Sequence, residues 1–311
     1  MKWSVNNIPD LHGTWTMITG PTGGLGTHVS LELARRGSNI ILAARNLERA
    51  RELASQIHAT APGVAVSVVP LDLGELTSVR SATDLIRRDH KHIDVLINNA
   101  GVMAPPDRRT ADGYELQIGT NHIGHFALTA RLWPLLAESK SRIVTVSSLM
   151  HTIVRGIDLS SLDLSSDNRR YRRWRSYGES KLANLMFSQE LHHRCTESGS
   201  GVVSVAAHPG FASTGLQKTG PTLEGRTIGS VGLGIVTRIF AQPAHAGAWP
   251  LLMAATTPML AGGSYVGPGS MRQSRGAPRL VGMSSAAHSR ERGEQLWAAT
   301  EKAIGERFSL L

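Results

Sequence analysis

The sequence predicts an α/β protein built on one doubly wound parallel sheet, and three observations carry that expectation. Short apolar runs rich in β-branched residues alternate with amphipathic segments of helical length along most of the chain. The strand-like runs are apolar throughout rather than every second residue, as strands covered on both faces must be. A glycine-rich turn follows the first run and opens a helix-like segment. In chain order the expected strands are 14–19, 39–44, 64–69, 93–97, 142–147 and 202–207, with 264–266 a weaker seventh. Helices are expected over 24–36, 47–59, 75–89, 112–138 and 174–195. No linker, repeat or low-complexity tract divides the chain, so residues 1–311 read as a single domain. A Gly-rich insertion, 215–243, follows the sixth strand, and a C-terminal extension covers 267–311.

Composition narrows the class. The 311 residues are 41% hydrophobic and 18% charged, which excludes a disordered, collagenous or coiled-coil chain. A lone cysteine, Cys195, can form no internal disulfide and supply no Cys-rich metal site. Residues 1–13 lack the apolar run of a signal peptide, and no stretch reaches the ~18 uninterrupted apolar residues of a membrane span. The expectation is a cytoplasmic protein, with peripheral membrane contact as the minor alternative. The net charge of +9 is concentrated in Arg169, Arg170, Arg172, Arg173 and Arg175, with Tyr171 and Trp174 among them. No helix-turn-helix or aromatic ribonucleoprotein signature accompanies that charge, so no nucleic-acid partner is expected. The cluster reads as a solvated loop whose two aromatic side chains pack beside a pocket.

The turn after the first strand is Thr19-Gly20-Pro21-Thr22-Gly23-Gly24-Leu25-Gly26. Glycines there permit a sharp turn, close approach of the backbone to a pyrophosphate, and tight helix-on-strand packing. The helix that follows offers free N–H groups and the positive end of its dipole to phosphate. A dinucleotide is therefore the expected ligand. Its identity is read at the end of the second strand, where Arg45 stands in the place of the acid that would hold a ribose 2′-hydroxyl. A guanidinium suits a 2′-phosphate that a carboxylate would repel, so NADP(H) is expected over NAD(H).

Further along, Asn98-Asn99-Ala100-Gly101 follows the fourth strand, Asn121 lies in the next helix, Ser147-Ser148 follows the fifth strand, and Tyr177 and Lys181 are four residues apart. Together with the glycine turn, these motifs in this order resemble the short-chain dehydrogenase/reductase family. Asn121-His122-Ile123-Gly124-His125-Phe126 and the run from Tyr177 to Asn184 resemble its retinol dehydrogenase and WW-domain oxidoreductase branch, without a WW domain. Pro21-Thr22-Gly23 departs from the Ala-Asn-Ser usual in that branch. The resemblance implies a Rossmann fold and a carbonyl–alcohol interconversion in which Asn121, Ser148, Tyr177 and Lys181 are catalytic. It also implies cofactor contacts from Gly20, Thr22, Gly23, Gly24, Leu25 and Gly26, from Asp72 and Leu73, and from Asn99, Ala100 and Gly101. At the nicotinamide end it adds Tyr177, Lys181, Pro209, Gly210, Phe211 and Thr214. Ser147 competes with Ser148 for the polarising role, and the family alignment favours the second.

Tyr177 and Lys181 also stand on their own chemistry. Four residues apart on a helix, they share a face, and an ammonium near a phenol favours the phenolate. Tyr177 can then act as general acid for ketone reduction and general base for alcohol oxidation. Met103, Leu149, Tyr171, Trp174 and Phe211 are candidate pocket residues, and their character suggests a hydrophobic small-molecule substrate. No metal is expected: His122 and His125 share a helical face without further ligands and read as core or cofactor-side packing. Reduction of an activated C=C bond and a non-catalytic NADP(H)-sensing module remain the alternatives, the oligomeric state is open between monomer and homo-oligomer, and 215–243 is expected to cover the substrate as a lid.

Overall fold

The computed structural model describes residues 3–165, 170–211 and 243–310. Eight strands form one sheet in the order β3-β2-β1-β4-β5-β6-β7-β8. They are β1 (Trp15–Thr19), β2 (Asn39–Ala44), β3 (Val66–Pro70), β4 (Val95–Asn98), β5 (Arg142–Val146), β6 (Val203–Ala207), β7 (Tyr265–Ser270) and β8 (Arg275–Leu280). The first seven are parallel to their neighbours. β8 folds back antiparallel on β7, an edge strand that the periodicity did not foretell. The long helices are α1 (Gly24–Arg35), α2 (Leu47–Thr60), α3 (Leu76–Asp89), α4 (Gly124–Glu138), α5 (Arg173–Ser198), α6 (Ala244–Thr256) and α7 (Arg290–Ile304).

The inner strands are covered on both faces, which is why they read as continuous apolar runs. Neighbouring residues of β1 and β2 divide between two cores. Ile18, Ile40 and Leu42 pack with Val29, Leu33, Leu53, Ile57 and Leu251, from α1, α2 and α6. Met17, Ile41 and Ala43 pack with Val79, Ile86, Phe126, Leu132, Phe187 and Trp297, from α3, α4, α5 and α7. The expected C-terminal extension begins inside β7 and completes this second core. The Trp297 ring lies 4.8 Å from Phe126 and 4.8 Å from Phe308, with the Arg194 guanidinium 4.4 Å from its face.

The helix expected over 112–138 is interrupted. Residues 112 and 113 turn, and Asp112 accepts the N–H of Leu76 at 2.9 Å, capping α3 from a distant part of the chain. A short helical turn, Leu116–Ile118, then passes through a π-helical turn, Gly119–Ile123, into α4. Such π turns place side chains off the regular helical spacing and recur at functional sites. Gly124 permits the close crossing that follows: a Cβ there would lie 2.3 Å from the Leu73 carbonyl oxygen.

Candidate functional site: a cleft at the switch point of the sheet

β1 lies between β2 and β4, so the chain leaves the C-terminal ends of β1 and β4 in opposite directions and a crevice opens between them. On one wall is the glycine turn. Gly20 takes φ +61°, and a Cβ there would sit 2.9 Å from Ala100 Cα. A Cβ on Gly26 would lie 2.5 Å from the Gly20 carbonyl oxygen and 2.8 Å from Pro21 Cα. These two positions are therefore closed to side chains, and α1 presses its first turn against the loop. Gly23 caps α1 without a side-chain bond, leaving first-turn amides facing the crevice. Thr22 and Gly24 are half-buried, whereas the Leu25 side chain is buried in the core, so its approach to a ligand is through its main chain.

The opposing wall is stitched to this loop. Asn99 Nδ2 donates to the carbonyls of Thr19 at 2.8 Å and Gly20 at 3.1 Å. Its own N–H and that of Ala100 both donate to Thr19 Oγ1, at 2.9 and 3.0 Å. At the outer end, Arg45 is 79% exposed, with its Nη1 3.9 Å from Asp72 Oδ2. Asp72 is occupied by a tight turn, accepting the Gly74 N–H at 2.9 Å, and does not cap α3. Leu73 points into the core.

Deeper in the cleft the residues change character. Tyr177 and Lys181 on α5 are 8% and 4% exposed, with Lys181 Nζ 5.8 Å from the Tyr177 ring centroid. Burial pushes the Tyr177 phenol up to about 12, and a hydrogen bond from the Ser148 hydroxyl opposes it. Burial pulls the Lys181 ammonium down to about 8, and Nζ donates to the Val146 carbonyl at 3.2 Å. The two serines have separate employments: Ser147 Oγ donates to the Lys181 carbonyl at 2.8 Å, while Ser148 is the one beside the Tyr177 hydroxyl.

Asn121 sits on the π turn. Its Oδ1 accepts the Val102 N–H at 2.8 Å and its Nδ2 donates to the Val102 carbonyl at 3.0 Å and to Ser180 Oγ at 2.9 Å. Ser180 in turn donates to the Tyr177 carbonyl at 2.9 Å. Gly101 lets the groups converge, because a Cβ there would lie 3.0 Å from Asn121 Oδ1 and 3.5 Å from Lys181 Nζ.

Pro209, Gly210 and Phe211 leave β6 at the same end, held by a bond from the Phe211 N–H to the Ser274 carbonyl at 2.7 Å. Gly210 takes φ +67°, and a Cβ there would be 2.3 Å from that carbonyl oxygen. Trp174 and Phe211 are exposed, Met103 and Leu149 half-buried. Tyr171 spends its hydroxyl on the Pro105 carbonyl at 2.6 Å and on Gln117 Nε2 at 3.1 Å. Thr214 and the expected lid, apart from Pro243, lie outside the described residues, as does Arg169.

Several supporting residues had no reading from sequence. Thr19 and Ser180 join the elements just described, and His208 accepts the Gly210 N–H at 3.1 Å. His151 lies against the Ser148 carbonyl at 2.6 Å and edge-on to Tyr265 at 5.7 Å. Only their position inside recognisable motifs could have drawn attention to them. His122 packs beside Phe126 and Phe187 and is hydrogen-bonded to Thr300 Oγ1 at 3.0 Å. No group of metal-ligating side chains occurs among the described residues.

A model of the short chain dehydrogenases matches residues 14–156. Human retinol dehydrogenase 13 is 37% identical over 295 residues, covering 94% of this chain and 85% of that protein. Human retinol dehydrogenase 11 is 42% identical over 207 residues, or 66% of this chain and 63% of that protein. A crystal structure of a protein from Mycobacterium paratuberculosis superimposes with a TM-score of 0.80 at 37% identity, covering 100% of both chains. With the sheet order, the glycine turn and the buried Tyr177–Lys181 pair already in place, these likenesses identify the chain as a member of the short-chain dehydrogenase family of oxidoreductases.

Proposed function

We propose that this oxidoreductase interconverts a carbonyl and an alcohol on a hydrophobic small molecule, uses NADP(H), and employs Tyr177 as its general acid and base. The observation that supports it best is the buried pair Tyr177 and Lys181, with the half-buried Ser148 beside the Tyr177 hydroxyl, at the inner end of a cleft whose outer end is Arg45. The cleft fits a dinucleotide: the positions where a Cβ would strike backbone, Gly20 and Gly26, are those where the loop must stay thin. Thr22 to Gly26 would face the pyrophosphate, Asp72 and Asn99 to Gly101 the adenosine, Arg45 a 2′-phosphate, and Pro209 to Phe211 with Thr214 the nicotinamide end. When bound, the nicotinamide supplies or takes up the hydride.

The protein side chains manage the proton. Tyr177, like any phenol, keeps its proton at neutral pH, and burial disfavours the phenolate further, so it is ready to protonate a substrate oxygen during reduction. Ser148 donates a hydrogen bond to that same oxygen and draws charge onto it. Lys181 holds the ribose and lowers the cost of the phenolate that forms once the proton has left. Oxidation needs the phenolate at the outset, so its rate rises with pH while reduction falls.

The relatives named as retinol dehydrogenases make all-trans-retinal the first substrate to try, with nonanal as an unrelated hydrophobic aldehyde. Consumption of NADPH with either aldehyde at neutral pH, and alcohol oxidation favoured at alkaline pH, are the expected results. Tight NADPH binding with no turnover of any carbonyl, alcohol or enone in a broad panel would overturn the reading in favour of a sensing module. No helix of the described residues is long and apolar enough to cross a membrane.

A further inference from the structure

His125 is 1% exposed on the first turn of α4, and both of its ring nitrogens are hydrogen-bonded to other parts of the chain. Its Nε2 lies 2.8 Å from Thr19 Oγ1 and its Nδ1 2.9 Å from the Asn121 carbonyl oxygen. Its tautomer follows from counting protons. Thr19 Oγ1 already accepts two N–H groups, from Asn99 and Ala100, so its remaining capacity is its own proton. Two acceptors are within reach, the Ile97 carbonyl at 3.4 Å and His125 Nε2 at 2.8 Å, and the shorter bond takes the proton. Nε2 is therefore an acceptor. The ring's one N–H must be on Nδ1, donating to the Asn121 carbonyl. Burial, opposed by the bond to that carbonyl and reinforced by the charge of Lys181, pulls the imidazole down to about 4. The ring is thus neutral near pH 7.

We propose that His125 is a positioning residue for the reaction, a neutral strut in the Nδ1–H form that ties the end of β1 to the main chain of Asn121. The argument rests on the functional reading above. Its reach is longer than one bond. From Thr19 the hydrogen bonds run through His125 to the Asn121 main chain, from the Asn121 side chain to Ser180, and from Ser180 to the Tyr177 carbonyl. The turn that cradles the cofactor is thereby held in register with the helix that carries the proton donor. In a π turn the backbone bonds run i→i+5 within the turn and tie Asn121 to no other element, and the imidazole adds the link to β1 with one acceptor and one donor at fixed separation. His122, three residues earlier, is equally buried but faces the aromatic core and Thr300, and takes no part.

The test compares His125→Phe, which keeps a ring and removes both bonds, with His125→Gln, whose amide can accept at one end and donate at the other. NADPH affinity is read by fluorescence titration and turnover by nonanal or all-trans-retinal reduction. In the Phe variant kcat should fall roughly 10- to 100-fold while NADPH affinity and KM stay near wild type, because a small displacement at the reacting centre is enough. The Gln variant should recover most of that loss. Equal kcat in wild type and the Phe variant, or equal losses in Phe and Gln, would overturn the proposal.

Nitrogen NMR of the histidine-labelled wild-type protein, with His125→Gln used for assignment, decides the strut without activity or the Phe variant's folding. A neutral ring protonated on Nδ1 is expected, and an Nε2–H or charged ring would overturn it. Tyr177→Phe serves as the separate control: if it retains full turnover, the functional reading fails while the histidine tautomer is still decided by NMR.

Discussion

The two ends of the cleft are made of opposite materials. The outer end, from Gly20 to Gly26 with Arg45 and Asp72, is largely main chain and exposed charge, and its specificity lies in where side chains are missing. The inner end is centred on Tyr177 and Lys181, two side chains withdrawn from water, and its character lies in how far burial displaces their protonation. The contrast teaches that binding and catalysis here should fail separately. A long anionic ligand needs a thin, amide-lined channel, whereas proton transfer needs a few groups with the wrong pKa for bulk water.

Tyr177→Phe gives the largest expected effect. It should lower kcat about a thousandfold while leaving NADPH affinity unchanged, since only the acid and base is removed. Substantial residual turnover would break the division at its catalytic end. Lys181→Ala should blur the division, weakening NADPH binding and lowering kcat each by roughly 10- to 100-fold, as the two proposed roles of the ammonium, at the ribose and at the phenolate, require. A catalytic defect with cofactor affinity intact would place Lys181 wholly at the inner end.

Gly26→Val belongs to the outer end, where its side chain meets the Gly20 carbonyl and Pro21 Cα. The expected outcome is about a tenfold or greater loss of NADPH affinity with the kcat of the saturated enzyme changed far less. Arg45→Asp is milder and sharper: NADPH should weaken and NADH improve, with the ratio of their dissociation constants moving roughly 10- to 100-fold. An unchanged ratio would remove Arg45 from the site.

The smallest effect concerns stability. His122, His125 and His208 are held neutral by burial at about 3, 4 and 4, below the ordinary histidine value of 6.5. The unfolded chain therefore binds protons that the folded chain refuses as pH falls from 6.5 toward 4, and stability declines through that window. Each fully buried imidazole contributes up to about 2 kcal/mol of that loss by pH 5. A Tm that is flat across the window would show that these rings accept protons in place.

How much of this was legible follows from the same contrast. The sheet was readable because strands buried on both faces leave unbroken apolar runs, and Ile40 to Ala44 is such a run. β8 was not, because an edge strand with one paired side tolerates Arg275, Gly276 and Pro278 and carries no apolar signal. The glycine turn and the Tyr177–Lys181 spacing are local rules, visible in a string of letters. The pairing of Arg45 with Asp72 and the choice between Ser147 and Ser148 depend on distances across strands, which local spacing does not encode. His122 and His125 looked alike at their spacing of three. Only the π turn and the end of β1 separate a packing ring from a linking one.

The aromatic core has a consequence for biosynthesis. Phe126 and Phe187 are translated long before Trp297 and Phe308, yet all four share one dry cluster. A nascent chain that has emerged only as far as β8 carries α5, the helix of Tyr177 and Lys181, with an uncovered apolar flank. Until α7 has emerged, that flank remains open to water, and exposed apolar surface of this kind leaves a partial chain prone to non-native association.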